Sequence, residues 1–200
     1  MKKFRLISFS ILLAGIFTFG FSQQDFKVTQ SSHLVVEGTS TLHNFELTSK
    51  TVTGDVIISQ NGKNITLDKI SITVPVKELH SGKDGMDENM YESMNAESHP
   101  SITFESSSIS NGTLNDSGKS QLTVSGVLTI NGTPKQVSLN VSTISDKGGY
   151  VFEGSKSLLM SDYGIEPPSM FFGTVKTGDQ VTIKFSVSAE SNTTKNQAGL

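Results

Sequence analysis

The 200-residue sequence predicts an all-β fold with one short helix, arranged as a closed antiparallel β-barrel of about eight strands. Apolar and polar residues alternate over most of the chain, which is the period of a strand with one buried face. Asn-Gly pairs begin at positions 61, 111 and 131, and such pairs favour tight hairpin turns. Closing the sheet removes its edges, and eight strands leave room for one small ligand.

Nine segments carry the strand pattern. The cleanest is the last, in which Val181, Ile183 and Phe185 alternate with polar residues. A hairpin over residues 119–145, turning at Asn131, is almost as regular. The predicted strands lie near residues 25–37, 41–48, 51–60, 64–76, 100–110, 119–131, 135–145, 149–160 and 180–190.

The fourth predicted strand changes its inward face part-way along. Ile65 and Leu67 share one parity, and the apolar residues from Ile70 onwards have the other. The change at Asp68 predicts a β-bulge, or a bend where the strand turns a barrel corner. Pro75 cannot donate to a sheet ladder, so it is expected near the strand's end.

One segment has a helical period. Met86, Met90 and Met94 recur every four residues and therefore lie on one face of a predicted helix. Asp84 is the predicted N-cap, and the helical run is expected to end at His99-Pro100, where the proline stops it. The methionine stripe suits two roles, a plug in one barrel end or a soft wall against an apolar ligand of variable shape.

The first 22 residues have the pattern of a secretory signal peptide. Lys2, Lys3 and Arg5 precede an apolar run over residues 11–21, with cleavage expected near Ser22. The run is short for a membrane span, so no stable membrane insertion is expected. The predicted organisation is a signal peptide at 1–22, a barrel domain at 23–190 and a flexible polar tail at 191–200, in a periplasmic or secreted protein.

Composition excludes several classes of function. The chain contains no cysteine, which rules out lipoprotein acylation, disulfides and thiolate metal sites. Removal of residues 1–22 leaves thirteen basic and nineteen acidic residues, a formal charge of −6, and no arginine. A net-negative chain without arginine is a poor binder of nucleic acid. It is also expected to hold a ligand by its tail, with a neutral or weakly polar head group.

No catalytic or metal motif stands out. His33, His43, His80 and His99 lack the spacing of metal ligands, so neither a metal site nor another cofactor is predicted. For His43, a hydrogen bond that holds its turn is the favoured role. There is no Gly-x-Ser-x-Gly elbow and no phosphate loop. A glycan hydrolase with paired carboxylates ranks low, because no two acids are paired by the pattern, and the protein is not expected to be an enzyme.

Four segments in order resemble a known family. They are the Gly38–Phe45 run GTSTLHNF, the helix leading into HPSITF at 99–104, GVLTING at 126–132 and SDYGI at 161–165. Together they resemble the YceI-like lipid/polyisoprenoid-binding proteins, which are extracytoplasmic bacterial proteins with a lipocalin-like barrel. The resemblance implies a barrel that encloses a long isoprenoid or lipid tail and does not imply an enzyme.

The resulting functional expectation is a non-catalytic extracytoplasmic carrier of an isoprenoid or lipid. The alternative is a ligand-free structural, interaction or stress-response barrel, since inward residues are apolar in both a hollow and a filled barrel. The predicted ligand-binding residues are Phe45, Met90, Met94, Ile102, Phe104, Leu128, Ile130, Leu139, Tyr163, Phe172, Ile183 and Phe185.

Overall fold

The computed structural model describes residues 22–146, 148–170 and 174–191. The signal peptide expected at 1–22, apart from Ser22, and the tail expected at 191–200, apart from Ser191, lie outside these residues. The elements are β1 (Ser22–Val28), β2 (His33–Ser40), β3 (Phe45–Ser49), β4 (Thr53–Asn61), β5 (Asn64–Pro75), α1 (Asp84–Ser93), β6 (Ser101–Ile109), β7 (Gly112–Thr113), β8 (Lys119–Ile130), β9 (Thr133–Asp146), β10 (Gly149–Leu159), β11 (Ser169–Met170) and β12 (Val175–Ser191).

Eight of the strands close an antiparallel barrel. Their order is β1, β4, β5, β6, β8, β9, β10 and β12, and β12 returns to β1 through residues 26–28 and 189–191. The earlier part of β12 pairs with β2, which carries β3 on its other side. The prediction of a closed barrel of about eight strands with one helix is confirmed.

The first predicted strand is two strands. A turn divides residues 25–37 into β1 and β2, with the Ser32 N–H donating to the Thr29 carbonyl over 3.1 Å. The Ser32 hydroxyl is buried and accepts a 3.0 Å hydrogen bond from the Ser188 N–H. The break lets β1 pair with β4 while β2 pairs with β3, a change of partner that the apolar pattern does not encode.

The bulge in β5 is confirmed. Ile57 lies opposite Lys69 and Ile58 lies opposite Leu67, so Asp68 is the extra residue. Its carboxylate accepts a 2.6 Å hydrogen bond from the Ser59 hydroxyl outside the barrel. The inserted residue brings the apolar side chains on both sides of the bulge into the same core.

Helix α1 differs from its prediction at both ends. Lys83 occupies the N-cap without a side-chain hydrogen bond, so the N-cap prediction for Asp84 is wrong. Asp84 instead lies in the first turn, where the helix dipole favours an acid. The helix ends at Ser93, well before Pro100, because Asn95 adopts the left-handed region with φ of 47°.

The Asn-Gly pairs behave differently from one another. Gly62 and the Asn131-Gly132 pair have positive φ angles and form the β4–β5 and β8–β9 hairpins. The hairpin expected at Asn111 is wrong, because Gly112 lies in β7 and pairs with β5. A Cβ atom on Gly112 would come within 2.5 Å of the Leu122 side chain, so this glycine is needed for close packing.

The barrel is packed solid at one end. Phe26 and Tyr150 meet edge to face inside it with ring centroids 5.3 Å apart, and Tyr150 stacks on Phe152 with centroids 6.1 Å apart. Ile58 and Ile65 are almost fully buried in the same region. The opposite end is covered by α1. Within the described residues, no helix is long and apolar enough to cross a membrane.

Candidate functional site

Helix α1 presents its methionine stripe to the interior of the barrel. Met90 and Met94 are each 8% exposed, and Met86 is half-buried beside them. All three border a cavity of about 140 Å³ between the helix and the strands, which we call the helix-side cavity. The helical period therefore identified the face that lines an interior space.

A second space, the central cavity, lies deeper in the barrel and has a volume of about 110 Å³. Its wall consists mainly of aliphatic and aromatic side chains from β2, β4, β5, β6, β8, β9, β10 and β12, and its polar members are His33, Thr103 and Lys156. Ile102 on β6 and Ile183 on β12 line both cavities. The two spaces therefore follow one another inside the barrel, with these isoleucines as a common wall.

The structure brings the predicted ligand-binding residues together around these cavities. Phe45, Met90, Met94, Ile130 and Tyr163 line the helix-side cavity. Phe104, Leu128, Leu139 and Phe185 line the central cavity, and Ile102 and Ile183 line both. Phe172 lies outside the described residues. The strand parities placed these side chains inward, and their role in binding stays a prediction.

Three phenylalanines of the cavity walls place the tips of their rings against glycines of neighbouring strands. A Cβ atom on any of these glycines would overlap the aromatic ring. The pairs are Gly38 with Phe45, Gly126 with Phe104 and Gly154 with Phe185. Because the ring occupies the space of the missing side chain, each of these three positions requires glycine for its close packing. A glycine inside a strand pattern is the sequence signal for such close approach.

A family model connects this geometry to known proteins. The model for the YceI-like domain matches residues 18–189. The chain belongs to the YceI-like family. No curated protein sequence matches it. The four segments that resembled this family all fall within the matched range, so the resemblance is confirmed.

Solved structures share the fold of this YceI-like chain. Burkholderia cenocepacia BcnA is 20% identical with a TM-score of 0.65, and the match covers 80% of this chain and 98% of that chain. A polyisoprenoid binding domain from Saccharophagus degradans, implicated in plant cell wall breakdown, is 10% identical with a TM-score of 0.64, over 85% and 99% of the two chains. The Campylobacter jejuni YceI protein is 13% identical with a TM-score of 0.56, over 97% and 100%.

The helix of the YceI-like domain is tied to the segment that follows β5. The Tyr91 hydroxyl lies 2.9 Å from the Leu79 carbonyl oxygen and 3.0 Å from that of Lys77. The Asp87 carboxylate accepts hydrogen bonds of 2.8 Å and 2.5 Å from the Ser81 N–H and hydroxyl. These bonds hold α1 over the barrel end with its methionines inward.

Asp87 is a buried acid that the sequence placed only in the helix's first turn. Burial alone raises the pKa of this carboxyl, but the hydrogen bonds from Ser81 and the nearby His80 outweigh burial and lower the pKa. The His80 Nδ1 atom lies 3.4 Å from Asp87. In the described part of the chain, no three His, Asp or Glu side chains converge as metal ligands do.

Some other lining residues were not singled out by the sequence, whereas His43 was, as a residue of a turn. Leu158, Met160 and Val175 add to the apolar wall of the helix-side cavity. His43 also lines it, and its Nε2 atom lies 3.4 Å from the Lys83 amine. The turn at His43 is held by its own backbone, whose N–H donates to the Ser40 hydroxyl over 3.2 Å.

Lys156 is an unusual residue in a mainly apolar interior, where His33 and Thr103 also line the central cavity. Among the described residues, it is the only Lys, Asp or Glu that lines either cavity. It shares its parity along β10 with Phe152 and Gly154, and so the alternation of that strand places it inward. The sequence signal that could have identified this residue is a lysine at an inward position of a predicted strand.

Proposed function

We propose that the chain is a non-catalytic, extracytoplasmic carrier that holds an isoprenoid or lipid inside its barrel. The observation that carries this proposal is the pair of apolar cavities in line within one closed barrel. Their walls are mainly aliphatic, aromatic and thioether side chains, which bind hydrocarbon and offer little for chemistry. A close-packed core, in contrast, would fill both of these spaces with side chains.

The size of the cavities sets the mode of binding. Volumes of about 140 Å³ and 110 Å³ are close to that of an apolar protein cavity of about 150 Å³ that admits benzene. Each space therefore accepts a short apolar group as it stands. A longer tail requires movement of the common wall or of the methionine stripe, and methionine adapts its shape at low cost.

The energetics favour binding by the tail. Each buried methylene contributes about 0.8 kcal/mol, so a tail of about ten carbons reaches several kcal/mol from apolar contact alone. The Saccharophagus degradans structure with the same fold is that of a polyisoprenoid binding domain, which agrees with an isoprenoid as one ligand class. The pattern of residues 1–22 and the lack of cysteine support an extracytoplasmic location.

Native mass spectrometry of protein purified without detergent from its own host tests the proposal. We expect a complex heavier than the chain, which releases an apolar compound on extraction with organic solvent. The chain should begin near Gln23, as Edman sequencing would show. A protein that carries no lipid, and binds neither a quinone nor a long-chain isoprenol when offered them, would instead support the ligand-free structural or interaction module.

A cavity-filling variant links the bound compound to the barrel interior. Val137 lines the central cavity, and Val137→Phe should reduce the amount of co-purified lipid by occupying its space. Val127 lies on the opposite parity of β8 from the buried Val124 and Leu128, so Val127→Phe is the matched control. Equal lipid loss in both variants would place the compound elsewhere on the protein.

A further inference from the structure

Lys156 lies at the level where the two cavities meet. Its partner across β10 and β12 is Ile183, one of the two residues of the common wall. The side chain is half-buried and lines the central cavity. The ammonium-bearing side chain of Lys156 thus starts at the position along the barrel where the two cavities adjoin.

The barrel wall is open beside this lysine. The pairing of β9 with β10 ends at Val141 and Gly154. Beyond that point β9 continues against β8 as far as Thr133, and β10 continues against β12 as far as Leu159. Residues 133–140 and 155–159 therefore border a seam, and Lys156 is the second residue of β10 past the last pair.

The ammonium group of Lys156 has no partner in the described part of the chain. The lysines that form ion pairs there are Lys27, Lys63, Lys77 and Lys184. No Asp or Glu lines either cavity. Charges taken from water are normally paired, because an unpaired charge loses its hydration without compensation. The ammonium group of Lys156 would be paired if the ligand that enters the cavity carries a negative charge.

We propose that Lys156 binds the acid group of the ligand, and that the ligand is an amphiphile with one carboxylate and an apolar tail. The proposal rests on the carrier function and names the class of its ligand. The carboxylate lies at the seam against the Lys156 amine. The tail extends into the central cavity, along the wall to which the lysine's own methylenes contribute.

The charge balance favours a carboxylate over a diphosphate. One ammonium group neutralises one negative charge, and no second Lys lines either cavity among the described residues. A diphosphate would bring further charge into an apolar space, at a large cost in lost hydration. The missing arginine led to the expectation of a neutral head group, and that is the competing outcome. The carboxylate proposal differs because Lys156 supplies the cation that arginine does not.

Paired probes separate these outcomes. The delipidated full chain is titrated at pH 8 with cis-parinaric acid, a fluorescent C18 carboxylic acid, and with its methyl ester, which has the same tail without the charge. We expect the chain to bind the acid at least tenfold more tightly than the ester. Lys156→Met should remove this preference by weakening acid binding to the level of the ester. Lys119→Met is the control, since Lys119 is an exposed lysine on the outward parity of β8 that lines neither cavity and lies away from the seam.

The comparison of acid and ester on the unmodified chain keeps the test decisive even if Lys156→Met folds poorly. Equal affinities for the acid and the ester would overturn the role of Lys156 and leave the carrier function standing. Retention of the acid preference in Lys156→Met, or its loss in Lys119→Met, would also overturn it. Failure of the acid, the ester and a long-chain isoprenol to bind would overturn the carrier function together with this proposal.

Discussion

The side-chain amide nitrogen of Asn131 donates a 3.2 Å hydrogen bond to the carbonyl oxygen of Tyr163. The same nitrogen lies 3.3 Å from the carbonyl oxygen of Gly164, and the Asn131 side-chain oxygen accepts a 3.0 Å bond from Asn95. One turn residue therefore joins the end of the α1 region to the loop that carries Tyr163. Both of these segments line or border the helix-side cavity.

Replacing Asn131 should loosen this cover without unfolding the barrel. Asn131→Asp tolerates the positive φ of 49° but loses the amide donor, so a loss of about 1 kcal/mol in unfolding free energy is expected. Dissociation of a bound ligand should become several-fold faster, as stopped-flow fluorescence would show. Asn61→Asp, in the Asn-Gly turn between β4 and β5, is the control. An unchanged dissociation rate in Asn131→Asp would show that Asn131 does not hold the segments that cover the helix-side cavity.

The methionine stripe can be tested with two pairs of substitutions. Serine makes the stripe polar, and leucine keeps it apolar but makes it less flexible. Met90→Ser with Met94→Ser should cut tail binding at least tenfold, about 1.4 kcal/mol, and should also lower the melting temperature because both side chains are buried. The leucine pair, Met90→Leu with Met94→Leu, should cost less than about 1.5 kcal/mol per site in stability. We expect the leucine pair to bind long tails more weakly than short ones. Calorimetry and titration over a series of chain lengths measure both quantities, and a leucine pair that binds every length like the parent chain would leave the stripe as a plug.

The common wall between the cavities predicts a change in ligand length. Ile183→Ala should join the two spaces and shift the preferred tail towards longer chains. A stability loss of about 2–5 kcal/mol accompanies the removal of a buried isoleucine side chain. Ile70 lines the central cavity alone, so Ile70→Ala enlarges that space without joining the two. If both variants shift the preferred tail length equally, Ile183 does not separate the two cavities.

Asp87 predicts a dependence of stability on pH. Its folded pKa is lowered below the ordinary value of 3.8, because hydrogen bonds outweigh burial. The stabilisation from this group is therefore present above that ordinary value and is lost as the pH falls through the folded pKa. At pH 7, Asp87→Asn should be less stable by about 1 kcal/mol, the difference between charged and neutral hydrogen bonds. Denaturant unfolding from pH 7 to pH 2.5 should show the two proteins converging in acid, and a stability difference that persists at pH 2.5 would contradict this role of the Asp87 carboxylate.

Thr143 offers a site for stabilisation. Its hydroxyl is the only buried side-chain polar atom in the described residues that lacks a hydrogen-bond partner. Thr143→Val replaces that hydroxyl by a methyl group of similar shape and should raise the unfolding free energy by about 1 kcal/mol, a rise of about 2–4 °C in melting temperature. Thr143→Ser keeps the hydroxyl and loses the methyl, so it should be less stable than the parent. A lower melting temperature for Thr143→Val would show that the hydroxyl has a partner in solution.

Local pattern was enough for most of the barrel wall. The alternation around Val181 and Ile183 and the change of parity at Asp68 were predicted correctly, because the side-chain direction in a strand is set by its immediate neighbours. The turn between β1 and β2 was missed, since it depends on which strands come to lie beside each segment. The end of α1 was missed because a single left-handed residue, Asn95, outweighs a downstream proline.

By itself, the sequence determined the closed all-β class, the inward set of apolar residues and the methionine face of the helix. These properties follow from periodicity, which acts over a few residues. Only the tertiary structure decided that the interior holds two spaces divided by Ile102 and Ile183, that the tips of phenylalanine rings pack against glycines, and that Lys156 faces a seam without an acid partner. Such features depend on distances between side chains from strands far apart in the chain, and no local pattern records those distances.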